Sequence, residues 1–295
     1  VQKWWSLFFG VVLLACFGLC VAAAYVKGWW LPPNYATFGG DVDFLFYVIL
    51  GFVTFFFVLT EVILVYAMWR FAYQPGRKSS YVEGNHRLEW FWTIIPAAIL
   101  LYIAFAQVRT WAEIKYQARM PKADQLVQVS AQQWQWWLRY PRDVVRDKNQ
   151  ELDWAETPEM DDLEVPSELH TWKGANLKIY LKTKDVIHSF FLPHQRIKQD
   201  ALPGKTIPMW FNVKESNGHW DDSKKEWVQD GDKEWEIACA ELCGDRHYAM
   251  RGLLFVHPDK ANYEAWLQHS LAEQNRRTPE TKAGPGGVAA LTGRN

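Results

Sequence analysis

The sequence predicts a membrane-anchored all-β protein, in which transmembrane helices precede a Greek-key β-sandwich. Three observations carry that expectation. Nearly all the long apolar runs lie before residue 110. After Met120 the chain turns to short segments of period-two alternation separated by polar turns, as strands do. Eighteen of the 295 residues are tryptophan, whose apolar ring and polar N–H suit membrane interfaces and binding surfaces. The formal net charge is −1, and no basic stripe of the kind that binds nucleic acid is present.

The membrane elements come first. Leu7 to Val26 is uncharged and long enough to cross a hydrocarbon core of about 30 Å. Phe44 to Trp69 is a second run, broken only by Glu61, and Trp90 to Val108 a third, containing Pro96. Neighbouring helices can satisfy the carbonyl that a proline frees. Residues 40–110 are therefore expected to form a transmembrane helical hairpin. Residues 1–30 are an extra transmembrane helix or a retained signal peptide, with Lys3 ahead of the run. Cys16 and Cys20 lie inside it and read as small apolar residues, with lipid attachment after "LLAC" as the competing reading. The loop 70–88 holds Arg70, Arg77, Lys78 and Arg87 against one acid, Glu83. The positive-inside rule puts that loop on the cytoplasmic or matrix side, so residues 111–275 lie on the outer face.

That outer part reads as strands. "DQLVQVSAQQWQWWLRY" alternates and is rich in Val and Trp, and "NLKIYLKTKDVIHSFFLP" gives two strands around "TKD". "KTIPMWFNV", "EWEIACA" and "YAMRGLLFVHP" continue the series, a spacing that argues for a Greek-key sandwich or barrel. Asp259 to Asn275 is expected to be helical, with Tyr263, Trp266, Leu267 and Leu271 on one face. Residues 276–295 are Gly-, Pro- and Thr-rich and are expected to lack regular structure. Two polar stretches interrupt the strands. Residues 151–168 carry eight acids (Glu151, Asp153, Glu156, Glu159, Asp161, Asp162, Glu164 and Glu168) and no Lys or Arg. They read as a solvated loop, with a docking surface for a basic partner as the sharper alternative. Residues 214–233 read as a hairpin insertion.

The chemistry is concentrated in "CAELCGDRHYAM", residues 239–250. Cys239, Cys243 and His247 could serve a structural zinc, but Met250 is a poor zinc ligand and a good copper one. A redox disulfide favours C-x-x-C, and the spacing here is C-x3-C. Copper takes thiolate, imidazole and a weak thioether, and two cysteines suggest two metals bridged by two thiolates. The cluster is then short of one nitrogen, and His188 in "DVIHSFFLP" is the candidate.

These motifs together resemble subunit II of the haem–copper cytochrome c oxidases, over most of residues 40–270. "DVIHSF" at 185–190 and "CAELCGDRHYAM" match the family's ligand signature at every position. The resemblance implies a cupredoxin-like sandwich carrying a binuclear copper centre. Cys239 and Cys243 would bridge two copper ions, His188 and His247 would each bind one, and Met250 and the Glu241 carbonyl would complete the site. The Glu241 carboxylate is implied to face a magnesium ion shared with subunit I. "QQWQWWLRY" resembles the family's aromatic stretch, implying Trp134 as the electron-input residue and Trp136 as a packing partner near the metal. In "NHRLEWFWTIIPAAIL" Glu89 is implied at the mouth of a proton pathway, where the bland alternative is a charge at the membrane boundary.

The resemblance implies further that electrons come from a c-type cytochrome and pass to haem in subunit I. There oxygen is reduced, coupled to proton translocation. The implied partners are subunit I, other oxidase subunits and the membrane. The implied location is a bacterial inner membrane with the copper domain on the periplasmic face, rather than a mitochondrial one. Several features depart from the family pattern: the run before residue 30, Ala131-Gln132 where Gly-His is commoner, and the long acidic stretch. No C-x-x-C-H haem motif is present. The rival readings are a quinol-oxidase subunit II, which lacks the copper ligands, and a membrane-anchored copper-binding or assembly protein.

Overall fold

The computed structural model describes residues 2–26, 30–78, 80–142, 151, 154–157, 159 and 162–277. Three helices open the chain: α1 (Gln2–Val26), α2 (Gly39–Arg70) and α3 (His86–Lys115). Each is long and apolar enough to cross a membrane. α2 and α3 outrun the apolar stretches that predict them, because polar residues at both ends extend the helices beyond the hydrocarbon. Asn85 caps α3, its side-chain oxygen accepting from Leu88 N at 3.2 Å. α1 lies along α2, with Phe17 stacked on Phe57 and the Lys3 ammonium over the Trp69 ring.

Twelve strands follow. In chain order they are β1 (Gln125–Gln132), β2 (Gln135–Tyr140), β3 (Leu163–Pro166), β4 (Glu168–Trp172), β5 (Asn176–Thr183) and β6 (His188–Leu192). Then come β7 (Ile197–Ala201), β8 (Ile207–Asn212), β9 (Gly218–Asp221), β10 (Glu226–Gln229), β11 (Trp235–Cys239) and β12 (Arg251–His257). One sheet runs β3-β2-β1-β5-β8 and the other β4-β12-β11-β6-β7. The chain changes sheet repeatedly, so β1 pairs parallel with β5 and β4 with β12. The core between the sheets includes Val127, Val129, Trp136, Leu138, Phe190, Leu192, Ile237 and Val256. The expected insertion 214–233 contains the separate hairpin β9-β10. The expected C-terminal helix is α4 (Lys260–Arg277), and Tyr263, Trp266, Leu267 and Leu271 are all buried on the sandwich. Residues 278–295, most of the stretch expected to lack regular structure, lie outside the described residues.

The sandwich is fastened to the helix ends. The Arg196 guanidinium meets Asp43 of α2 at 2.5 Å and the Pro32 carbonyl at 2.6 Å. Lys115 at the end of α3 donates to Gln199 Oε1 at 2.6 Å, and Trp210 Nε1 donates to the Glu113 carbonyl at 3.3 Å. Ala36 bridges Val213. These ties seat the sandwich at the ends of α2 and α3 opposite the basic loop, which makes it the outward-facing domain.

The acidic stretch is not a solvated loop. Residues 163–166 form strand β3, and Glu151, Trp154, Ala155 and Asp162 before it lie on the outer face of β1, β2 and β5. There Trp154 and Ala155 pack with Ala123, Leu126 and Tyr180. Two of the acids are buried: Asp162 pairs with Arg139, and Glu151 meets Lys178 Nζ at 2.5 Å and accepts from the Tyr180 hydroxyl at 3.1 Å. The cations on the outward side of the sheet demand counter-ions once covered, and these acids supply them. Glu156, Glu164 and Glu168 remain exposed, whereas Asp153 and Asp161 lie outside the described residues.

Under α4 sits a buried histidine pair. His170 Nδ1 lies 3.0 Å from His257 Nε2, and His257 Nδ1 lies 2.7 Å from Asn262 Oδ1. His170 is stacked between Trp266 and Phe255. Burial, reinforced by the neighbouring His170, pushes His257 down to about 3, and burial holds His170 well below its ordinary value. Both rings stay neutral in the fold, while in the unfolded chain they take up protons below about pH 6.5. Folding stability is therefore fully present above that pH and is lost as pH falls from there toward the folded value. His257 alone contributes a loss on the order of 5 kcal/mol across the window. Thermal unfolding of the full-length chain at pH 7 and pH 4 checks this: His257→Asn should lose less on acidification than the parent, and equal losses would refute it.

Candidate metal centre

The ligand candidates come from two places that the sandwich brings together. β6 begins at His188, beside the end of β11, where Cys239 pairs with Phe190. The chain then loops from Cys239 through a short 3-10 turn, His247–Ala249, and returns into β12 at Arg251. The antiparallel pairing of β11 and β12 thus closes a loop carrying two cysteines, a histidine and a methionine at one end of the sandwich.

The side chains converge. Cys239 Sγ and Cys243 Sγ are 3.8 Å apart. His188 Nδ1 lies 3.9 Å from Cys239 Sγ and 3.2 Å from Met250 Sδ. His247 Nδ1 is 3.6 Å from Cys243 Sγ, and Met250 Sδ is 3.9 Å from the same sulfur. The Glu241 carbonyl is 3.3 Å from Cys239 Sγ, while the Glu241 side chain is exposed. His188, Cys243 and Met250 are buried; Cys239 and His247 are half-buried. His188, Cys239 and Cys243 offer ligand atoms within 4.8 Å of one another. All six positions named from the sequence are therefore in one cluster.

The donor set fits a soft, thiophilic cation. Burial opposes ionisation of Cys239, but hydrogen bonds from His188 and the backbone at Ser189 and Glu241 bring it down to about 6. Burial and the adjacent Cys239 sulfur then push Cys243 up to about 12. Without a cation the pair holds one negative charge easily and two only at high pH. Two thiolates side by side need positive charge between them, which metal supplies. A buried thioether against a buried imidazole suits copper better than zinc.

Second-layer contacts fix the geometry, and two residues that sequence reasoning missed supply them. Asp185 Oδ1 lies 2.8 Å from His188 Nε2, so the ring's proton sits there and Nδ1 faces the sulfurs. The Asp185 carboxyl is held below its usual range by hydrogen bonds from Gln133 N, His188 and Val186 N, which outweigh burial. Gln133 joins both halves: its N–H donates to Asp185 Oδ2 at 2.7 Å and its side-chain amide to the Cys243 carbonyl at 2.8 Å. The signal for Asp185 was its place three residues before His188; for Gln133 there was none beyond the aromatic stretch.

Trp134 sits with Gln133 at the turn between β1 and β2 and is half-buried. Its ring lies against the metal loop. A Cβ on Gly244, whose φ is +120°, would come within 3.2 Å of Trp134 ring atoms and 3.0 Å of Gln133 Nε2. Glycine is required there both for the backbone and for the close approach. Trp136 is fully buried, with its ring edge-on to His188 at 6.1 Å and to Phe190 at 5.1 Å. Glu89 is elsewhere, in the first turn of α3 on the side of the basic loop, 3.0 Å from His86 Nδ1.

Residues 31–109 match the family profile described as cytochrome c oxidase subunit II, transmembrane domain, and residues 126–254 that described as cytochrome c oxidase subunit II, periplasmic domain. The chain belongs to the cytochrome c oxidase subunit II family. Relatives of this subunit II include alternative cytochrome c oxidase subunit 2 of Bradyrhizobium diazoefficiens, 25% identical over 88% of this chain and 90% of the relative. Cytochrome c oxidase subunit 2 of Cereibacter sphaeroides is 26% identical over 84% of this chain and 81% of its own length. Among solved structures, the periplasmic domain of subunit II of cytochrome oxidase of Bradyrhizobium japonicum aligns with a TM-score of 0.39 and 22% identity. That alignment covers 52% of this chain and 98% of the other.

Proposed function

We propose that this subunit II is the electron-input subunit of a haem–copper terminal oxidase and that its outer domain holds two copper ions. The observation that carries the reading is the cluster of two cysteine sulfurs 3.8 Å apart, flanked by His188, His247 and Met250. Cys239 and Cys243 would hold both ions, His188 and His247 one each, with Met250 and the Glu241 carbonyl completing the set. Copper bound there supplies a one-electron couple whose charge is shared with sulfur.

The chain's own residues do the rest. Asp185 and Gln133 orient His188 and the Cys243 loop, so that little must move when the charge changes. Trp136 and Phe190 exclude water from the inner side. Trp134, half-exposed and packed on the Gly244 backbone next to Cys243, is the path inward from a c-type cytochrome. The exposed Glu241 carboxylate is available to a magnesium ion shared with subunit I. Leu242 and Tyr248, 78% and 76% exposed, suit burial against another oxidase subunit. Glu89, in the first turn of α3 beside His86, would take up protons from the side of the basic loop. A bacterial inner membrane, with the sandwich in the periplasm, fits this arrangement. We assign α1 (Gln2–Val26) to a third membrane helix, in keeping with its packing on α2.

Trp134→Ala in the assembled oxidase tests the path. Stopped-flow reduction by a c-type cytochrome should slow about tenfold or more, ~1.4 kcal/mol on the activation free energy. The copper absorption should stay in place. A normal rate would move electron input to another surface residue.

A further inference from the structure

The crevice between α1 and α2 has the length and the charge of a lipid site. α1 lies ahead of both family-matched segments, the first of which begins at residue 31. Its packing on α2 leaves a cavity of about 430 Å³, walled by Leu7, Gly10, Leu14, Val62, Val65 and Trp69 among others. Leu14 and Val62 are exposed, so the wall is open to the hydrocarbon. The Lys3–Trp69 contact marks the mouth, and the Phe17–Phe57 stack closes the deep end. From Leu7 to Phe17 the helix climbs about 15 Å, half of a hydrocarbon core of about 30 Å. The crevice therefore runs the depth of one leaflet, starting from the side of the basic loop.

The mouth is cationic. Exposed Lys3 and Arg70 hold their charged ends 5.2 and 5.6 Å from the Trp69 and Phe71 ring centres, and neither makes an ion pair among the described residues. Arg77, Lys78 and Arg87 follow in the loop. The acids at this boundary are Glu83 and Glu89, and Glu89 is already in contact with His86. Five cations against two acids leave a formal excess of positive charge. One further acid stands in the crevice wall: Glu61, whose Oε2 is shielded and has no hydrogen-bond partner. It lies about 12 Å deeper than Trp69, beside an acyl chain rather than a headgroup.

We propose that this crevice binds an anionic phospholipid of the leaflet on the side of the basic loop, its phosphate at Lys3 and Arg70 and one acyl chain along the apolar wall. The proposal rests on α1 being a membrane helix of the subunit and adds what fills its contact with α2. Lysine and arginine stems lie along apolar surface while their charged ends reach the headgroups. A zwitterionic lipid fits the wall equally well, so headgroup charge makes the choice. Each cation near the membrane surface favours an anionic lipid about fivefold.

The test uses the purified oxidase in vesicles of phosphatidylglycerol and phosphatidylcholine, with a photoreactive diazirine on one acyl chain of each lipid in turn. Peptide mapping should find the phosphatidylglycerol label on the α1 and α2 walls about tenfold or more over the phosphatidylcholine label. Lys3→Gln should cut that preference about fivefold, and adding Arg70→Gln should bring the two probes close to parity. Leu14→Trp, which fills the crevice without changing its charge, should reduce labelling by both. Copper and haem spectra report that each variant is assembled. Equal labelling in the parent, or a preference that survives loss of both cations, would overturn the proposal. Glu61→Leu separates a lipid from a protein occupant. It should leave phosphatidylglycerol labelling at the parental level or above, since an anion gains nothing from that carboxyl. Parental walls free of both labels, with label appearing in Glu61→Leu, would show instead a basic side chain of another subunit seated on that acid. Failure of the helix reading looks different: the intact mass of the subunit in the purified oxidase would then lack α1, and the crevice with it.

Discussion

Cys239→Ser is expected to abolish the proposed paired-thiolate copper site while leaving the outer domain folded. A serine hydroxyl is a hard ligand that stays protonated at neutral pH, and it cannot replace a soft bridging thiolate. Cys243 would be left as the single cysteine sulfur with the imidazoles and Met250. Packing suffers little, because Cys239 is half-exposed at the end of β11. Its loss should cost the metal-free fold no more than about 1 kcal/mol. The purified variant should lack the mixed-valence copper resonance and lose oxygen consumption driven by a c-type cytochrome. Asp185→Asn should be milder, since it loosens a ligand's support without removing the ligand, and about 10- to 100-fold in copper affinity is expected. A parental resonance in Cys239→Ser would refute the assignment.

The side-chain cluster proposed to hold copper was legible because it is local in sequence. Five of its six positions fall within residues 239–250, and the sixth, His188, lies in a strand whose pattern marked it. The helices were equally plain, since a run of apolar residues of membrane length has few alternatives. Their ends were not: α3 continues to Lys115 because Arg109 and Glu113 support a further turn outside the hydrocarbon, pairing at 3.0 Å. The contacts that orient the ligands were hidden as well. Gln133 reaches Cys243 across 110 positions of sequence, and nothing in either segment announces the other. The acidic stretch misled for a related reason. Arg139 and Lys178 alternate with apolar residues on β2 and β5, the pattern of a strand with one wet face. Only the fold reveals that Glu151, Trp154, Ala155 and Asp162 cover that face.

That cover carries the second large effect, since Asp162→Ala should destabilise the outer domain by about 3–5 kcal/mol. Arg139 is 5% exposed and its guanidinium is fully engaged. Nε donates to Gln128 Oε1 at 2.6 Å, Nη2 to the Trp154 carbonyl at 2.7 Å, and Nη1 to Asp162. The Trp154 indole N–H donates to the same Asp162 oxygen at 3.0 Å, with its ring under the guanidinium. Removing the carboxylate leaves a buried cation without its counter-charge and an indole N–H without an acceptor. For a domain of this size the unfolding midpoint of the full-length chain should drop by roughly 8–15 °C. Glu156→Gln, which removes an exposed charge from the same stretch, should stay within about 0.5 kcal/mol of the parent. Taking out both partners separates a buried charge from a merely weakened fold. Asp162→Leu combined with Arg139→Met leaves no unpaired ion and should recover most of the loss. The copper centre lies at one end of the sandwich, away from this outer face, so its spectrum should be parental in all these variants at temperatures below unfolding. If Asp162→Ala melts with the parent, the acids do not hold the segment down, and the stretch returns to being a solvated surface.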